Sequence, residues 1–332
     1  MKMMKRYFYL VLILLGIFSI QSCQKKQKEE VKPVKVTIIR SVSADAFTEL
    51  ENGIREQLSG KNIEINSYSA ESDPSKFETV VKSALLGKPD YLVICGALLA
   101  NIAYSPQYRE SLPVVISTAV DEPDGVEILV REGINPPRKS PLAIVAGMPE
   151  ESAYDGLARN MKLIRPDMKK AGVLYSEGDI SAKITAEKTI QSLEKEGITT
   201  EKGLLTSPDD VMKVLKALIV KKVEAIILPH DKFAMLSSNA IAKECHSLGI
   251  PTFSLDDMSV KKGGLAFSCA IEYHDLGILT GQTVLEIIEG KKAEEIPVRR
   301  IAKPNFYINK KAVFDDMKLT LPQELTQNAI IQ

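Results

Sequence analysis

The chain has 332 residues, in which 43 Lys+Arg are balanced by 43 Asp+Glu. This neutral balance argues against a nucleic-acid-binding surface. The length exceeds what one hydrophobic core usually serves, so we expect two lobes or domains.

The N-terminus combines basic and apolar residues. Three basic residues among the first six precede Tyr7–Ile20, an almost wholly apolar run of 14 residues, which is shorter than the roughly 20 that cross a bilayer. This pattern predicts a secretory signal peptide over residues 1–22. Its end, IQSC, is similar to a bacterial lipobox, which implies that Cys23 becomes the first mature residue and carries lipid. The alternative is a membrane-anchoring helix with an unmodified cysteine. In both cases the bulk of the chain lies outside the cytoplasm.

The segment 23–33 is charged and nearly free of large apolar residues, so we expect a solvated tether. Three cysteines follow it, at Cys95, Cys245 and Cys269. We interpret them as buried and reduced, while a bridge between Cys95 and Cys269 stays open.

From Val34 onward, short runs rich in β-branched residues alternate with amphipathic stretches, which is typical of βαβ units and a parallel sheet. The first predicted series has strands at Val34–Arg40, Asn62–Tyr68, Asp90–Gly96 and Pro113–Ala119, and helices at Ala44–Leu58 and Ser75–Leu86. The second has strands at Leu142–Gly147, Lys170–Ser176, Thr199–Leu205, Glu224–Pro229, Pro251–Leu255 and Gly264–Ile271, and helices at Glu151–Ile164, Ala182–Lys195, Pro208–Lys221 and Ala234–Leu248.

The two series are separated by Asp121–Pro141, which contains four prolines and suits a boundary. A helix at Tyr273–Glu289 and a mostly extended return follow the second series. These features predict an α/β fold of two Rossmann-like lobes with parallel sheets, whose connections cross more than once. Small molecules bind such sheets at the carboxyl ends of the strands, so we expect the binding cleft between the lobes.

Several stretches carry a resemblance to one family. They include DPSKFETVVKSALLGKPDYLVICG, VEAIILPHDKFA and Gly249–Val298, where an Asp after a strand, a GGLA strand and the helix start YHDLGILTGQ occur in order. The chain resembles the substrate-binding proteins of ABC transporters with the type I periplasmic-binding fold, in the branch whose better-known members bind tryptophan, tyrosine or phenylalanine. The likeness runs from about Val34 to Pro322.

The resemblance implies a hinge of three crossovers and closure of the lobes around a ligand. It implies a first lobe of residues 34–144 plus 272–298, and a second lobe of residues 145–271 plus 299–332. The implied partners are a small-molecule ligand, ABC permease subunits and a bacterial membrane reached through the lipid anchor. No cofactor is implied, and the location is extracytoplasmic.

Candidate ligand contacts in the first lobe lie in the loops that follow strands; they are Ser43, Ala97, Leu98 and Thr118. The GALLAN segment opens a helix whose first N–H groups suit an anion such as an α-carboxylate. Relatives usually place Ser or Thr there, whereas this chain has Ala97 and Leu98. An N-cap role for the following helix explains Ser43 equally well.

Candidate contacts in the second lobe are Ser176, Ser181, Asp231 and Asp256. The two aspartates match family positions where an acidic group faces the cleft, and a carboxylate suits a ligand ammonium group. Alternatively, Asp231 caps the helix that follows it, and Asp256 or Asp257 fixes a turn.

The ligand is expected to be an amino acid or a similar small zwitterion. Tyr154, Phe233 and Leu98 are candidates for packing against its side chain. The first strand-end loop, RSVSAD, contains no aromatic residue, so whether the ligand itself is aromatic stays open.

The sequence gives little support for an enzyme. Its three histidines, His230, His246 and His274, belong to no H-x-x-x-H pair, which argues against a metal site. No G-x-S-x-G, P-loop or G-x-G-x-x-G motif occurs. We therefore predict the non-catalytic receptor of an ABC importer. The alternatives are a ligand-sensing module of a signalling system and, with weaker support, a hydrolase on the same fold.

Overall fold

The computed structural model describes residues 32–42, 45–71 and 73–332, and the compact body spans Val34–Gln332. The predicted signal peptide, Cys23 and Ser43 lie outside the described residues.

The first lobe is built on a five-stranded, fully parallel sheet with the strand order β2-β1-β3-β4-β5. Its strands are β1 (Val34–Arg40), β2 (Ile63–Ser69), β3 (Tyr91–Cys95), β4 (Val114–Val120) and β5 (Leu142–Ala146). The helices between them are α1 (Asp45–Leu58), α2 (Phe77–Leu86), α3 (Ala97–Ala103) and α4 (Glu127–Glu132).

The second lobe is built on a seven-stranded sheet with the order β12-β11-β10-β9-β8-β6-β7, which is parallel except where β11 pairs with β10. Its strands are β6 (Lys170–Ser176), β7 (Thr199–Leu205), β8 (Ala225–Leu228), β9 (Thr252–Ser254), β10 (Phe267–Ala270), β11 (Asn305–Ile308) and β12 (Ala329–Ile331). The remaining helices are α5 (Ala153–Ile164), α6 (Ile180–Lys195), α7 (Val211–Val220), α8 (Lys232–Leu236), α9 (Ser238–Ser247), α10 (Met258–Lys261), α11 (Tyr273–Ile288) and α12 (Gln323–Gln327), and Lys311–Asp316 forms a π-helical turn.

Each sheet has a hydrophobic core on both faces, because helices cover it from both sides. Strands buried on both faces read as continuous apolar runs rather than as alternating patterns, and β5, LAIVA, is buried at every residue. The prediction of an α/β fold with two parallel-sheet lobes is confirmed.

Some sequence-based assignments differ from the structure. The strand β5 was grouped with the second series, yet it pairs with β4 in the first sheet. The proline-rich Asp121–Pro141 is therefore a connection within the first lobe, and its helix α4 packs Ile128 and Leu129 into that core. The helix predicted at Ala234–Leu248 is instead the two helices α8 and α9.

Three chain segments connect the lobes; they lie between β5 and α5, between β10 and α11, and between α11 and β11. The first and third run side by side, since Ala146 N donates to Arg299 O at 2.8 Å and Glu150 N donates to Ile301 O at 2.8 Å. Val145 and Arg299 also form a parallel β-bridge. Backbone hydrogen bonds thus hold these two crossovers together as one hinge.

A buried carboxylate reinforces this hinge. Glu122 follows β4 and accepts a hydrogen bond from Arg300 at 3.0 Å and one from the Tyr154 hydroxyl at 3.3 Å. Lys188 lies 3.2 Å from the same carboxylate. Glu122 therefore joins the first lobe to the third crossover and to two helices of the second lobe.

The cysteines Cys95, Cys245 and Cys269 are free and buried, as predicted. Among the helices of the described residues, none has both the length and the apolar character needed to span a membrane.

The helix α11 returns from the second lobe and packs directly on α1 through glycines. A Cβ atom at Gly277 would lie 2.1 Å from the carbonyl oxygen of Leu50, and a Cβ at Gly53 would lie 2.2 Å from the carbonyl oxygen of His274. The two helix backbones are therefore in contact, and only glycine fits at either position.

We expect Gly277→Ala to destabilise the protein by about 1–3 kcal/mol, because the added methyl group forces the two helices apart. Denaturant unfolding measures this change. Gly178→Ala is the matched control, since no atom lies within 4 Å of a Cβ at that position. Equal stability of the two variants would contradict the backbone contact.

Candidate functional site

A cavity of about 460 Å³ lies where the carboxyl ends of the two sheets face each other. This volume falls within the range of about 300–1,000 Å³ that is usual for small-ligand sites. Both sheets contribute loops to its wall, because the carboxyl ends of parallel strands meet at one edge of a sheet. The cavity therefore occupies the position that the strand pattern predicts for a ligand site.

The first-lobe wall of the cavity is largely apolar and aromatic. Phe47 in α1 and Tyr273 at the start of α11 have ring centroids 6.0 Å apart with an interplanar angle of 38°. Phe77, Leu98 and Val42 extend the same surface. Burial raises the pKa of Tyr273, and nearby carboxylates raise it further, so its phenol stays protonated. This wall suits an apolar or aromatic group.

The second-lobe wall holds most of the charged groups of the cavity, beside polar residues and the apolar side chains of Met235, Leu236 and Met258. It contains Asp179, His230, Lys232, Asp256 and Lys262. Burial raises the pKa of Asp179, while a backbone hydrogen bond from Ala182 and the positive charge of Lys232 act in the opposite direction. The two walls of the cavity thus differ in chemical character.

The lobes meet inside the cavity at Asp121, which directly follows β4. Its Oδ1 lies 2.8 Å from His230 Nδ1 and forms an ion pair with the imidazolium, without the alignment of a hydrogen bond. Its Oδ2 accepts a hydrogen bond from the Ser181 hydroxyl at 3.1 Å. One first-lobe carboxylate therefore contacts two strand-end loops of the second lobe.

The environment of His230 favours the charged imidazolium. Its Nε2 lies 2.8 Å from the carbonyl oxygen of Leu255 and its Nδ1 faces Asp121, so an acceptor oxygen lies at each ring nitrogen, an arrangement that suits a proton on both. Burial alone would lower the pKa of His230, but the negative charge of Asp121 and its contact with the ring outweigh burial. Asp256 adds to this effect, and the pKa rises to about 9.

A second contact between the lobes lies at the mouth of the cavity, where Lys262 Nζ approaches Asp45 Oδ2 at 2.5 Å. Both side chains are more than half exposed. Exposed pairs of this kind contribute little to stability, so the interior contact at Asp121 is the more important of the two.

Four of the sequence-predicted contacts lie in the cavity wall: Ala97, Leu98, Ser181 and Asp256. The anion site predicted at the first N–H groups of α3 stays a prediction, because this helix has only seven residues and its dipole is correspondingly small. Of the two aromatic candidates, neither Tyr154 nor Phe233 reaches the cavity wall.

Three predicted contacts, Thr118, Ser176 and Asp231, lie behind the wall. Thr118 is fully buried on β4 and its hydroxyl pairs with that of Thr280 in α11 at 2.8 Å. Asp231 caps α8 by accepting from the N–H groups of Phe233 and Ala234, each at 2.9 Å. Strand-end position alone does not decide whether a side chain points toward the cleft or into the lobe.

Asp231 has a second structural role. Its Oδ2 accepts a hydrogen bond from the backbone N–H of Ser176 at 2.8 Å. Because β6 and β8 are neighbours in the sheet, this contact ties together the loops that follow these two strands. The contacts of Asp231 are therefore those of a helix cap and a link between loops, in agreement with the helix-cap alternative.

Asp256 combines a turn role with a place in the wall. Its Oδ1 accepts from the N–H of Ser259 at 2.9 Å, and its Oδ2 accepts from the Ser259 hydroxyl. Only 1% of the residue is exposed, and the charge of His230 lies nearby. Its carboxylate is therefore already stabilised by the protein.

Sequence reasoning missed Asp121, Asp179, Lys232, Phe47 and Tyr273 as cavity residues. The signal for Asp121 is its position directly after β4, and Asp179 lies between the predicted contacts Ser176, which ends β6, and Ser181, which lies in the first turn of α6. Phe47 and Tyr273 lie in the first turns of helices, where the helical pattern predicts burial against the lobe rather than exposure to the cleft. The cavity wall therefore contains more charged and aromatic residues than the predicted hydroxyl-rich set.

Within residues 45–71 and 73–332, no group of three or more His, Cys, Asp or Glu side chains is arranged to hold a metal ion.

Comparison with known proteins gives a consistent result. The family model described as ABC transporter substrate binding protein matches residues 35–331. A protein named "Tyrosine-binding protein" from Clostridioides difficile is 25% identical over 316 residues, which cover 93% of this chain and 87% of that protein.

Solved structures show the same fold. The ABC domain in complex with L-Trp from Streptococcus pneumonia has a TM-score of 0.79 at 21% identity, and the match covers 90% of this chain and 100% of that one. A ligand-free, open substrate-binding protein with adhesive properties from Clostridium difficile has a TM-score of 0.67 at 19% identity, with 90% and 99% covered.

We expect the stability of the protein to fall between about pH 6.5 and about pH 9 because of His230. Its pKa in the folded state lies above the value of about 6.5 in the unfolded chain, so its stabilising effect is complete below that pH and is lost as the pH rises to the folded-state value. The loss is on the order of a few kcal/mol. Thermal unfolding across this range measures it.

The variants His230→Asn and Asp121→Asn should both flatten this pH dependence, because each removes one partner of the ion pair. Unchanged pH dependence in both variants would contradict the assignment. His274→Asn is the control, since His274 is partly exposed and lies next to the exposed Glu56.

Proposed function

The chain belongs to the family of ABC transporter substrate-binding proteins, and we propose on this premise that it is the lipid-anchored receptor that delivers an amino-acid-like ligand to an ABC permease. Substrate-binding proteins of ABC transporters work outside the cytoplasm, so the ligand is captured there. Transport across the membrane is then carried out by other subunits.

The observation that carries the ligand proposal is the difference between the two cavity walls. An aromatic surface around Phe47 and Tyr273 faces a charged surface that holds Asp179 and Lys232. A molecule with an apolar side chain and a zwitterionic head group has the same two parts. The names of the relatives, one tyrosine-binding and one solved with L-Trp, agree with an aromatic amino acid.

Ligand contacts are proposed at the predicted residues that face the cavity, Ala97, Leu98, Ser181 and Asp256. The proposed lobes are residues 34–144 plus 272–298 and residues 145–271 plus 299–332, and they open and close about the paired crossovers. The closed lobes are proposed to form the surface that the permease recognises.

We propose that this subunit breaks no bond. A binding protein releases its ligand unchanged, whereas a hydrolase converts it. The cavity residues Asp121, His230 and Asp256 are engaged in ion-pair and turn contacts, and the family is one of binding proteins.

Cys23 is proposed as the lipid attachment site after removal of residues 1–22. Several acyl chains on one residue hold a protein on a membrane where a single chain does not. The charged segment 23–33 then serves as the tether between the membrane surface and the folded body.

We expect L-tyrosine, L-tryptophan or L-phenylalanine to stabilise the purified protein against thermal unfolding, by about 2.7 kcal/mol at a hundred times the dissociation constant. Sugars, nucleosides and polyamines serve as controls. A shift with one of these classes and none with amino acids would refute the ligand class. Mass spectrometry of the ligand released by denaturation should show it unchanged, and a converted product would indicate an enzyme.

Replacement of Cys23 by Ser is expected to abolish incorporation of radiolabelled fatty acid in bacterial cells and to release the mature protein from the membrane fraction. The matched control is Cys245→Ser, a buried cysteine of the folded body, which should leave labelling intact. Continued labelling of the Cys23→Ser variant would exclude this residue as the anchor.

A further inference from the structure

Two opposite charges in the second-lobe wall lie close together without pairing. Lys232 and Asp179 both line the cavity, and the positive charge of Lys232 acts on the Asp179 carboxylate. Within the described part of the chain, Lys232 forms no ion pair, and its ammonium group lies 5.0 Å from the ring centroid of Phe233. The ammonium group of Lys232 and the carboxylate of Asp179 are therefore near each other but beyond ion-pair distance.

The topology of the sheet explains why the two residues are neighbours. Asp179 lies in the loop after β6, and Lys232 begins α8 after β8. These strands pair directly, so their carboxyl ends are adjacent. The hydrogen bond from Ser176 N to Asp231 fixes one loop against the other, so the two loops that carry Asp179 and Lys232 are held side by side.

The hydrogen bonds of Asp179 leave one of its oxygens available. Its Oδ1 caps α6 by accepting from the N–H groups of Ser181 at 3.1 Å and Ala182 at 3.3 Å. Among the described residues, no group donates a hydrogen bond to its Oδ2. A carboxylate that is partly buried gains stability from a cation that reaches this oxygen.

The other carboxylates of the cavity are already compensated. Asp121 lies against His230 and Ser181, Asp45 pairs with Lys262, and Asp256 accepts two hydrogen bonds from Ser259. Asp179 and Lys232 are therefore the pair best placed to meet a ligand that carries both charges.

We propose that Lys232 binds the carboxylate and Asp179 the ammonium group of the ligand, so that its zwitterionic head group bridges the two residues. This assignment rests on the proposed function, since it specifies how the same cavity recognises an amino acid. The head group then lies on the second lobe, and the side chain of the ligand points to the aromatic wall of the first. The start of α3 in the first lobe is accordingly not the carboxylate site.

Isothermal titration of the purified full-length protein tests the assignment. The probes are L-tyrosine, L-tryptophan and L-phenylalanine, together with tyramine, tryptamine and phenethylamine, which lack the carboxylate, and the corresponding arylpropionic acids, which lack the ammonium group. The wild-type protein should bind an amino acid at least ten times more tightly than either analogue, because a charge-assisted hydrogen bond changes affinity by about 10- to 100-fold.

Two substitutions separate the roles. Lys232→Met should weaken binding of the amino acid by about 10- to 100-fold and leave binding of the amine unchanged. Asp179→Asn retains an N-cap residue for α6; it should weaken binding of the amino acid similarly and leave binding of the arylpropionic acid unchanged. Lys243→Met, in the neighbouring helix α9 and outside the cavity wall, is the control.

The melting temperature of each ligand-free variant shows that it is folded, and Lys232→Gln replaces Lys232→Met if the latter unfolds. Equal losses for the amino acid and the amine in the Lys232 variant, or no loss for either, would overturn the assignment and leave the proposed function standing. Wild-type affinity that is the same for amino acid and amine would also overturn it. Failure of all three amino acids to bind would refute the proposed ligand class and the assignment together.

Discussion

The structure depends on the pairing of two crossovers at the hinge. Backbone hydrogen bonds between Ala146 and Arg299, and between Glu150 and Ile301, hold the first and third crossovers side by side. These bonds hold the carboxyl ends of the two sheets face to face, which is the condition for a cavity built by both lobes. Glu122 strengthens this arrangement, because its buried charge meets Arg300 and Lys188. A buried carboxylate that lost these partners would be strongly destabilising.

The aromatic wall depends on a different constraint within the first lobe. The chain returns from the second lobe at Tyr273, and the close contact of α11 with α1 through Gly277 and Gly53 places this ring beside Phe47. A larger residue at either glycine would separate the helices and therefore the rings. Packing in the lobe core thus determines the shape of this wall of the cavity.

The sequence predicted the fold well, and β1, β6 and β7 were placed to the residue. β1 and β6 are apolar and mostly buried, whereas β7 is a largely exposed edge strand that its flanking helices delimit. It misassigned β5, since membership of a sheet depends on pairing with β4, which is a long-range contact.

The site was harder to predict. Thr118 and Asp231 follow the strand-end rule, yet their side chains turn into the lobe. Asp179 and Lys232 are neighbours only because β6 and β8 are adjacent in the sheet. The linear sequence does not reveal this strand order.

The unequal character of the walls has a consequence for closure. The ion pair of Asp121 with His230 already joins the two lobes inside the cavity. A ligand that offered only an apolar group would be held by the first lobe and would leave Lys232 and Asp179 without partners as water is excluded, which is unfavourable. A ligand that offered only charges would leave the aromatic wall uncovered. A molecule that carries both parts would satisfy both lobes at once, and this division of chemistry between the lobes is the physical basis of the proposed amphiphilic zwitterion.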